Sequence, residues 1–187
     1  MRIGYALTGS FCTFERSIYA AESLIAAGHE LYPIMSFNAA QTDTRFGRAG
    51  DWVNRFAQLC GRRVLVSLPE VEPIGPKGLL DVLVVAPCTG TTLGRLACGI
   101  SETPVSLAVK SQLRVSRPVV LGVSTNDALG MSMRSIATLK NTRYFFFVPM
   151  RQDDTVGKPN SLVADFDMLP ATVEGAVQGQ QIQPLFL

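Results

Sequence analysis

Charge is what this chain has least of. Asp, Glu, Lys and Arg fill 17% of its 187 positions, against about a quarter in soluble domains. A surface so poor in charge is most simply explained if other subunits cover part of it, so a homo-oligomer is expected. The net charge is only +2 and no run of Lys and Arg is present, which argues against the basic track that nucleic-acid binding needs. No apolar stretch reaches the length of a membrane span. The basic, apolar and small-residue order of a secretory signal is missing, because Glu15 and Arg16 interrupt it. The cysteines Cys12, Cys60, Cys88 and Cys98 form no CxxC pair, so neither a zinc site nor a disulfide scaffold is signalled. No metal is expected, and a reduced, cytoplasmic protein is. One histidine exists, His29 in AAGHELY, and it reads as an ordinary loop residue. The dinucleotide fingerprint G-x-G-x-x-G does not follow the first apolar run, GYALTGSF, and the Walker ending Gly-Lys-Ser/Thr is absent too.

What is present is alternation. Arg2–Leu7 reads as a strand and Glu15–Ala27 as a helix ended by Gly28, where a left-handed residue belongs. Leu31–Met35 is a second strand, Trp52–Cys60 a helix, and Arg63–Ser67 and Asp81–Ala86 further strands. The last of these, LDVLVVAP, is apolar on both faces, as a central parallel strand should be. Helices at Thr91–Cys98 and Val105–Leu113, strands at Pro118–Val123 and Tyr144–Val148 with a helix between them, and a final helix at Leu169–Val177 complete the series. This predicts an α/β fold, a doubly wound parallel sheet with three αβα layers, over one domain spanning 1–187. The polar stretch at about 151–168, RQDDTVGKPNSLVADFDM, is expected to be an extended flap packed over something.

Ligands of open α/β sheets bind beyond the carboxyl ends of the strands. At those ends this chain places small donors: Thr8-Gly9-Ser10, then Ser36, Asn38 and Thr42, then Cys88-Thr89-Gly90-Thr91-Thr92, then Ser124-Thr125-Asn126-Asp127. Each group alone is turn and cap chemistry; four on one rim suggest a polar ligand site. In TGS, a strand-turn-helix with a close-approaching glycine can hold a phosphate at the helix N-terminus. Alternatively, Ser10 is simply an N-cap. A short loop with one glycine and hydroxyls suits a single terminal phosphate better than a pyrophosphate, which points to a mononucleotide such as FMN.

The combination of TGS, APCTGTTLGRLACGI and STNDALGMS resembles the flavoprotein family of FMN-binding cysteine decarboxylases, whose members carry T-G-S/A, A-P-x-S/T-A-N-T and P-A-M-N at these places. Longer ungapped stretches, IGPKGLLDVLVVAPCTGTTLGRLACGISETPVSLAVKSQLR, RPVVLGVSTNDALG and FFFVPMRQDD with KPNSLVAD, look like the family of dipicolinate synthase B subunits, over essentially the whole chain. The resemblance implies a Rossmann-like flavoprotein fold, assembly as trimers or dodecamers, and FMN held by Gly9, Ser10, Ser36, Thr89, Gly90, Thr91 and Thr92. It implies substrate contact at Asn126. It also implies a dipicolinate synthase A subunit as partner, carrying NADP, and a small dicarboxylate substrate: a dihydrodipicolinate-type precursor oxidised to dipicolinate in the mother cell of a sporulating bacterium.

Two departures from the family pattern stand out. Thr91 replaces the family's Asn. Pro73, in VEPIGPK, stands where the decarboxylases place a catalytic His, so a decarboxylase loses its expected base. Lys77, in the adjoining loop, is a candidate cation for the dicarboxylate. Lys110, Arg114 and Arg117 form a looser basic group. Cys88 is a possible low-pKa thiol at a helix head or a small half-buried residue, Asp153-Asp154 a metal pair or a solvated one, and Phe145–Phe147 a buried strand. Besides the synthase-subunit reading stand an autonomous FMN-dependent decarboxylase or prenyl-flavin synthase-like enzyme, which would turn over without a partner, and a cofactor-free assembly protein, whose complex would survive loss of Ser10 and Asn126.

Overall fold

A computed structural model describes all 187 residues. In chain order its elements are β1 (Arg2–Leu7), α1 (Phe14–Ala26), β2 (Glu30–Met35), α2 (Phe37–Gln41), α3 (Ala49–Cys60), α4 (Leu68–Val71), β3 (Val82–Cys88), α5 (Gly90–Ala97), α6 (Pro104–Leu113), β4 (Val119–Thr125), α7 (Met131–Lys140), β5 (Phe145–Phe147), β6 (Met150–Arg151), β7 (Leu162–Ala164) and α8 (Leu169–Val177). The local signals in the sequence take their expected form. Gly28 takes φ +83 after α1, and every residue of β3 is buried. Helix α6 starts at a reciprocal cap, Thr103 with Ser106, with Pro104 at its first position.

The sheet order is β2-β1-β3-β4, with β5 on the lower half of β4 and β7 followed by β6 on its upper half. The first five strands are parallel. Their 2-1-3-4-5 order reverses direction between β1 and β3, and this switch point opens a crevice at the strand exits. The two faces carry separate cores. Ile3, Tyr5 and Leu7 of β1 join Phe14, Ile18, Trp52, Phe56 and Leu169 on one side. Val85, Leu121 and Phe147 join Val105, Val109, Ile136 and Leu139 on the other. This is the layered α/β architecture expected, with strand alternation sorting side chains between two helical layers.

Two expectations need correcting. The segment 63–67 is not a strand: only Leu65 pairs, donating its N–H to Pro33 C=O (2.8 Å) and accepting from Met35 N–H (3.0 Å). The next two amides, of Val66 and Ser67, both donate to Glu70 Oε2 at 2.9 Å. That carboxylate removes the donors a ladder would need and turns the chain into α4. Nor is the sheet wholly parallel. Strand β7 runs antiparallel to β4, pairing Ser124 with Val163 and Thr125 with Leu162, and β6 pairs antiparallel with β7. The polar segment is therefore a hairpin, begun by β6 and returned by β7. It is stitched to the exit of β4, where β5 has already ended.

Candidate functional site

Thr8 fastens the exits of β1 and β3 together. It is 1% exposed, its Oγ1 donates to Pro87 C=O at 2.8 Å, and that same oxygen accepts the Thr89 N–H at 3.0 Å. Gly9 comes next; a Cβ there would make ordinary contact with Phe11 Cε2 at 3.6 Å and Asn38 Cβ at 3.8 Å. Ser10 occupies the N-cap position of the short 3-10 turn Phe11–Thr13, but its hydroxyl does not cap. Its hydroxyl instead reaches Ser124 Oγ at 2.8 Å, with Thr13 Oγ1 3.3 Å from the same Ser124 oxygen. Exit β1 is thus bonded sideways to exit β4 through hydroxyls.

Ser36 caps α2, accepting from Ala39 N–H at 3.3 Å. Thr89 caps α5, accepting from Thr92 N–H. The exposed Thr91 side chain lies between them on the rim. Gly90 leaves no room for a Cβ unless its neighbours shift. A Cβ there would meet Ser132 Oγ at 2.6 Å, Thr125 Oγ1 at 2.8 Å and Asp127 Oδ1 at 2.9 Å. Those three atoms form one cluster: Thr125 and Ser132 hydroxyls both donate to Asp127 Oδ1, at 2.6 and 2.7 Å. The two donors hold the Asp127 carboxyl below its usual range, so the site keeps an ionised carboxylate.

Two cavities open on this rim and meet at Gly9, Thr89 and Thr91. The larger, about 570 Å³, is walled by Ser10, Gly90, Asn126 and Asp127 and closed on the hairpin side by Asp153 and Lys158. The smaller, about 230 Å³, is lined by Thr8, Ser36, Asn38, Thr92 and Arg95, and Phe37 is its one apolar wall. Every residue expected to touch the cofactor lines one or both of them, and so does Asn126. Lys77 does not. It sits in the turn before β3, its N–H on Pro73 C=O, at the opposite end of the strand from the cavities. Arg117 is at that far end as well, donating to Leu80 and Gly78 carbonyls, and Pro73 lies in the 3-10 turn packed under α6. Lys110 reaches Ser101 Oγ at 3.3 Å.

The remaining candidates resolve individually. Cys88 is fully buried and burial pushes its thiol up, which removes it as a nucleophile. His29 contacts the terminal amine through Nδ1 at 3.3 Å, remote from the rim. Asp153 pairs with Lys158 at 3.2 Å, while Asp154 Oδ1 accepts the Val156 and Gly157 amides. The two acids therefore serve different partners. Sequence reasoning passes over Ser132 and Lys158. Thr8 is visible as part of TGS, but Lys158 reaches the cavity only through the antiparallel return of β7.

The Flavoprotein family profile matches residues 1–171. The chain belongs to the Flavoprotein family. The B subunit of dipicolinate synthase from Bacillus subtilis (strain 168) is 45% identical over 186 residues, covering all of this chain and 93% of that protein. The crystal structure of the corresponding dipicolinate synthase B subunit from Bacillus halodurans C superposes with a TM-score of 0.91 at 39% identity, over 100% of this chain and 95% of that one. More distantly, Burkholderia xenovorans DmrB in complex with FMN, a cubic protein cage for redox transfer, shares the fold: its TM-score is 0.70 at 18% identity, over 95% of both chains. Among flavoproteins, then, this chain is similar through its whole length to dipicolinate synthase B subunits. The expected Rossmann-like flavoprotein fold is borne out.

Proposed function

We propose that this flavoprotein is the B subunit of a dipicolinate synthase, binding FMN in the two joined cavities and acting with a nicotinamide-binding A subunit. The observation that carries the cofactor reading is the convergence of the β1 and β3 exits on Gly9, Thr89 and Thr91, where a small polar pocket meets a larger one. The donors fit the group. Ser36, Asn38, Thr92 and Arg95 surround a space suited to one phosphate, beside the N–H end of α5. Thr91 and Gly90 then line the way to the larger space, where Phe11, Phe46 and Val163 supply apolar wall for a ring system. When bound, FMN supplies a two-electron acceptor or donor next to the substrate.

The chain's own residues bind and orient. Asn126 presents an amide to a substrate carboxylate, and the hairpin from β6 to β7 covers one side of the larger cavity. The overall reaction is oxidation of a dihydrodipicolinate-type ring to the aromatic dicarboxylate, with NADP on the A subunit as hydride acceptor; this chain without its partner is inactive. The 45% identity to a protein so named supports the partner and the reaction. Assembly of several copies is supported by the scarcity of charge and by apolar residues left exposed, such as Ile100 at 44% and Met131 at 82%.

Purified chain titrated with FMN should gain a bound-flavin absorbance band and a higher melting temperature. Adding the A subunit, NADP and the dihydrodipicolinate-type precursor should yield dipicolinate that neither protein makes alone. A chain that neither takes up FMN nor changes the output of the A subunit refutes the reading.

A further inference from the structure

Among the residues lining the larger cavity there is one Lys or Arg, and it is Lys158. It is held there by more than proximity. Asp154 gathers the Val156 and Gly157 amides under its Oδ1, and the Lys158 N–H donates to Asp154 C=O at 3.0 Å. The Gln152 amide donates to Pro159 C=O at 2.7 Å, bracing the loop across its base. From the other side, the Leu129 N–H donates to Asn160 C=O at 2.9 Å, tying the loop to the β4–α7 turn that carries Asn126 and Asp127. Lys158 and Asn126 are therefore parts of one wall, joined by main-chain bonds.

The charges on that wall are unusual for a site receiving an anion. Two carboxylates, Asp127 and Asp153, line it with the single ammonium. Asp127 is occupied by the Thr125 and Ser132 hydroxyls. Asp153 is occupied by Lys158 Nζ at 3.2 Å, in a pair whose lysine side chain is 54% exposed. A weak, half-exposed pair of this kind is easily exchanged. An incoming carboxylate can take the ammonium from Asp153, whose side chain is 27% exposed and so open to water once released.

Resting on the function proposed above for the identity of the substrate, we propose that Lys158 and Asn126 form the carboxylate-binding subsite for a heterocyclic dicarboxylate, with Asp153 as an internal competitor for the lysine. Lys158 takes the role that the loop before β3, with Lys77, is placed too far away to fill. Asp153 sets the threshold. A ligand whose charge fails to displace it meets the Asn126 amide but no free cation.

The competitor makes the test one of sign. Dipicolinate is titrated calorimetrically into the FMN-loaded chain and into its K158Q and D153N variants, with FMN affinity measured in each. K158Q should weaken dipicolinate binding by about tenfold or more, the loss of one charge-assisted contact. D153N should tighten it several-fold by freeing the ammonium and removing a like charge. The FMN affinities separate an effect on dipicolinate itself from a general loosening of the cavity, which would weaken both ligands together. A merely structural ion pair would make both variants loosen the loop and move binding the same way, and that result overturns the proposal. So does unmutated, FMN-loaded chain that binds no dipicolinate. If the unmutated chain takes no FMN, the cofactor reading falls instead, and the same titrations on the flavin-free chain decide Lys158 on their own.

Discussion

Two glycines of α5 separate the demands of the site from those of the helix. Gly94 has nothing within 4 Å of where a Cβ would sit, so Gly94→Ala should stabilise the protein by about 0.5–1 kcal/mol through helix propensity and a stiffer unfolded chain. Gly90 opens the same helix but faces Ser132 Oγ, Thr125 Oγ1 and Asp127 Oδ1 at 2.6–2.9 Å. These atoms cannot retreat singly, because both hydroxyls are bonded to the one carboxylate oxygen. A methyl group there must break at least one hydrogen bond to a charged acceptor, worth about 1.5–3 kcal/mol, or strain the turn by a similar overpacking cost of about 1–3 kcal/mol. Gly90→Ala should therefore destabilise by about 2–3 kcal/mol, a fall in Tm of about 4–12 °C for a chain of this size. Urea unfolding of the two variants side by side measures it, and Ser132→Ala should recover part of the loss by removing the nearest atom. Equal stability of Gly90→Ala and Gly94→Ala would refute the account of the cluster.

Other expectations come from the same geometry. Thr8→Val removes the shared hydroxyl between exits β1 and β3 and strands the Thr89 N–H, so it should cost about 1–3 kcal/mol, whereas Thr8→Ser should cost less; chemical denaturation distinguishes them. Glu70, Asp81, Asp127 and Asp153 all have carboxyls held below their usual range, Glu70 chiefly by the Val66 amide and Asp127 by the Thr125 and Ser132 hydroxyls. Because the folded values are depressed, this stability is present above the unfolded values near pH 4 and disappears as pH falls through the folded ones. Tm should hold from neutrality down to about pH 5 and then drop, and Asp127→Asn should shallow that drop. Thiol labelling should find Cys12 and Cys98, both exposed, reacting promptly, while Cys88 reacts only on unfolding; added FMN should protect Cys12, which lines the larger cavity, and leave Cys98 unchanged.

Much of this protein is readable along the chain because its information is local. Strand–helix alternation, the buried run of β3, Gly28 after α1 and the hydroxyl caps Ser36 and Thr89 each rest on neighbours a few residues apart, where period, φ and capping chemistry decide. The rim is legible for the same reason, since parallel strands all deliver their exit loops to one end of the sheet. Misreading begins where a distant or competing partner intervenes. Residues 63–67 have strand composition, yet the Glu70 carboxylate takes the amides a ladder requires.

Lys77 and Lys158 show the limit most plainly. Both are lysines in glycine- and proline-bearing loops, and nothing near either in the chain tells which end of the sheet it will occupy. Sequence alone determined the layered fold and the run of small donors at its exits, through periodicity and capping that act over a few residues. Tertiary structure alone decided which cation joins them, because β5 stops short on β4 and leaves its upper edge unpaired. That vacant edge accepts β7 antiparallel, and the return carries Lys158 to the cavity while β3 runs away from Lys77.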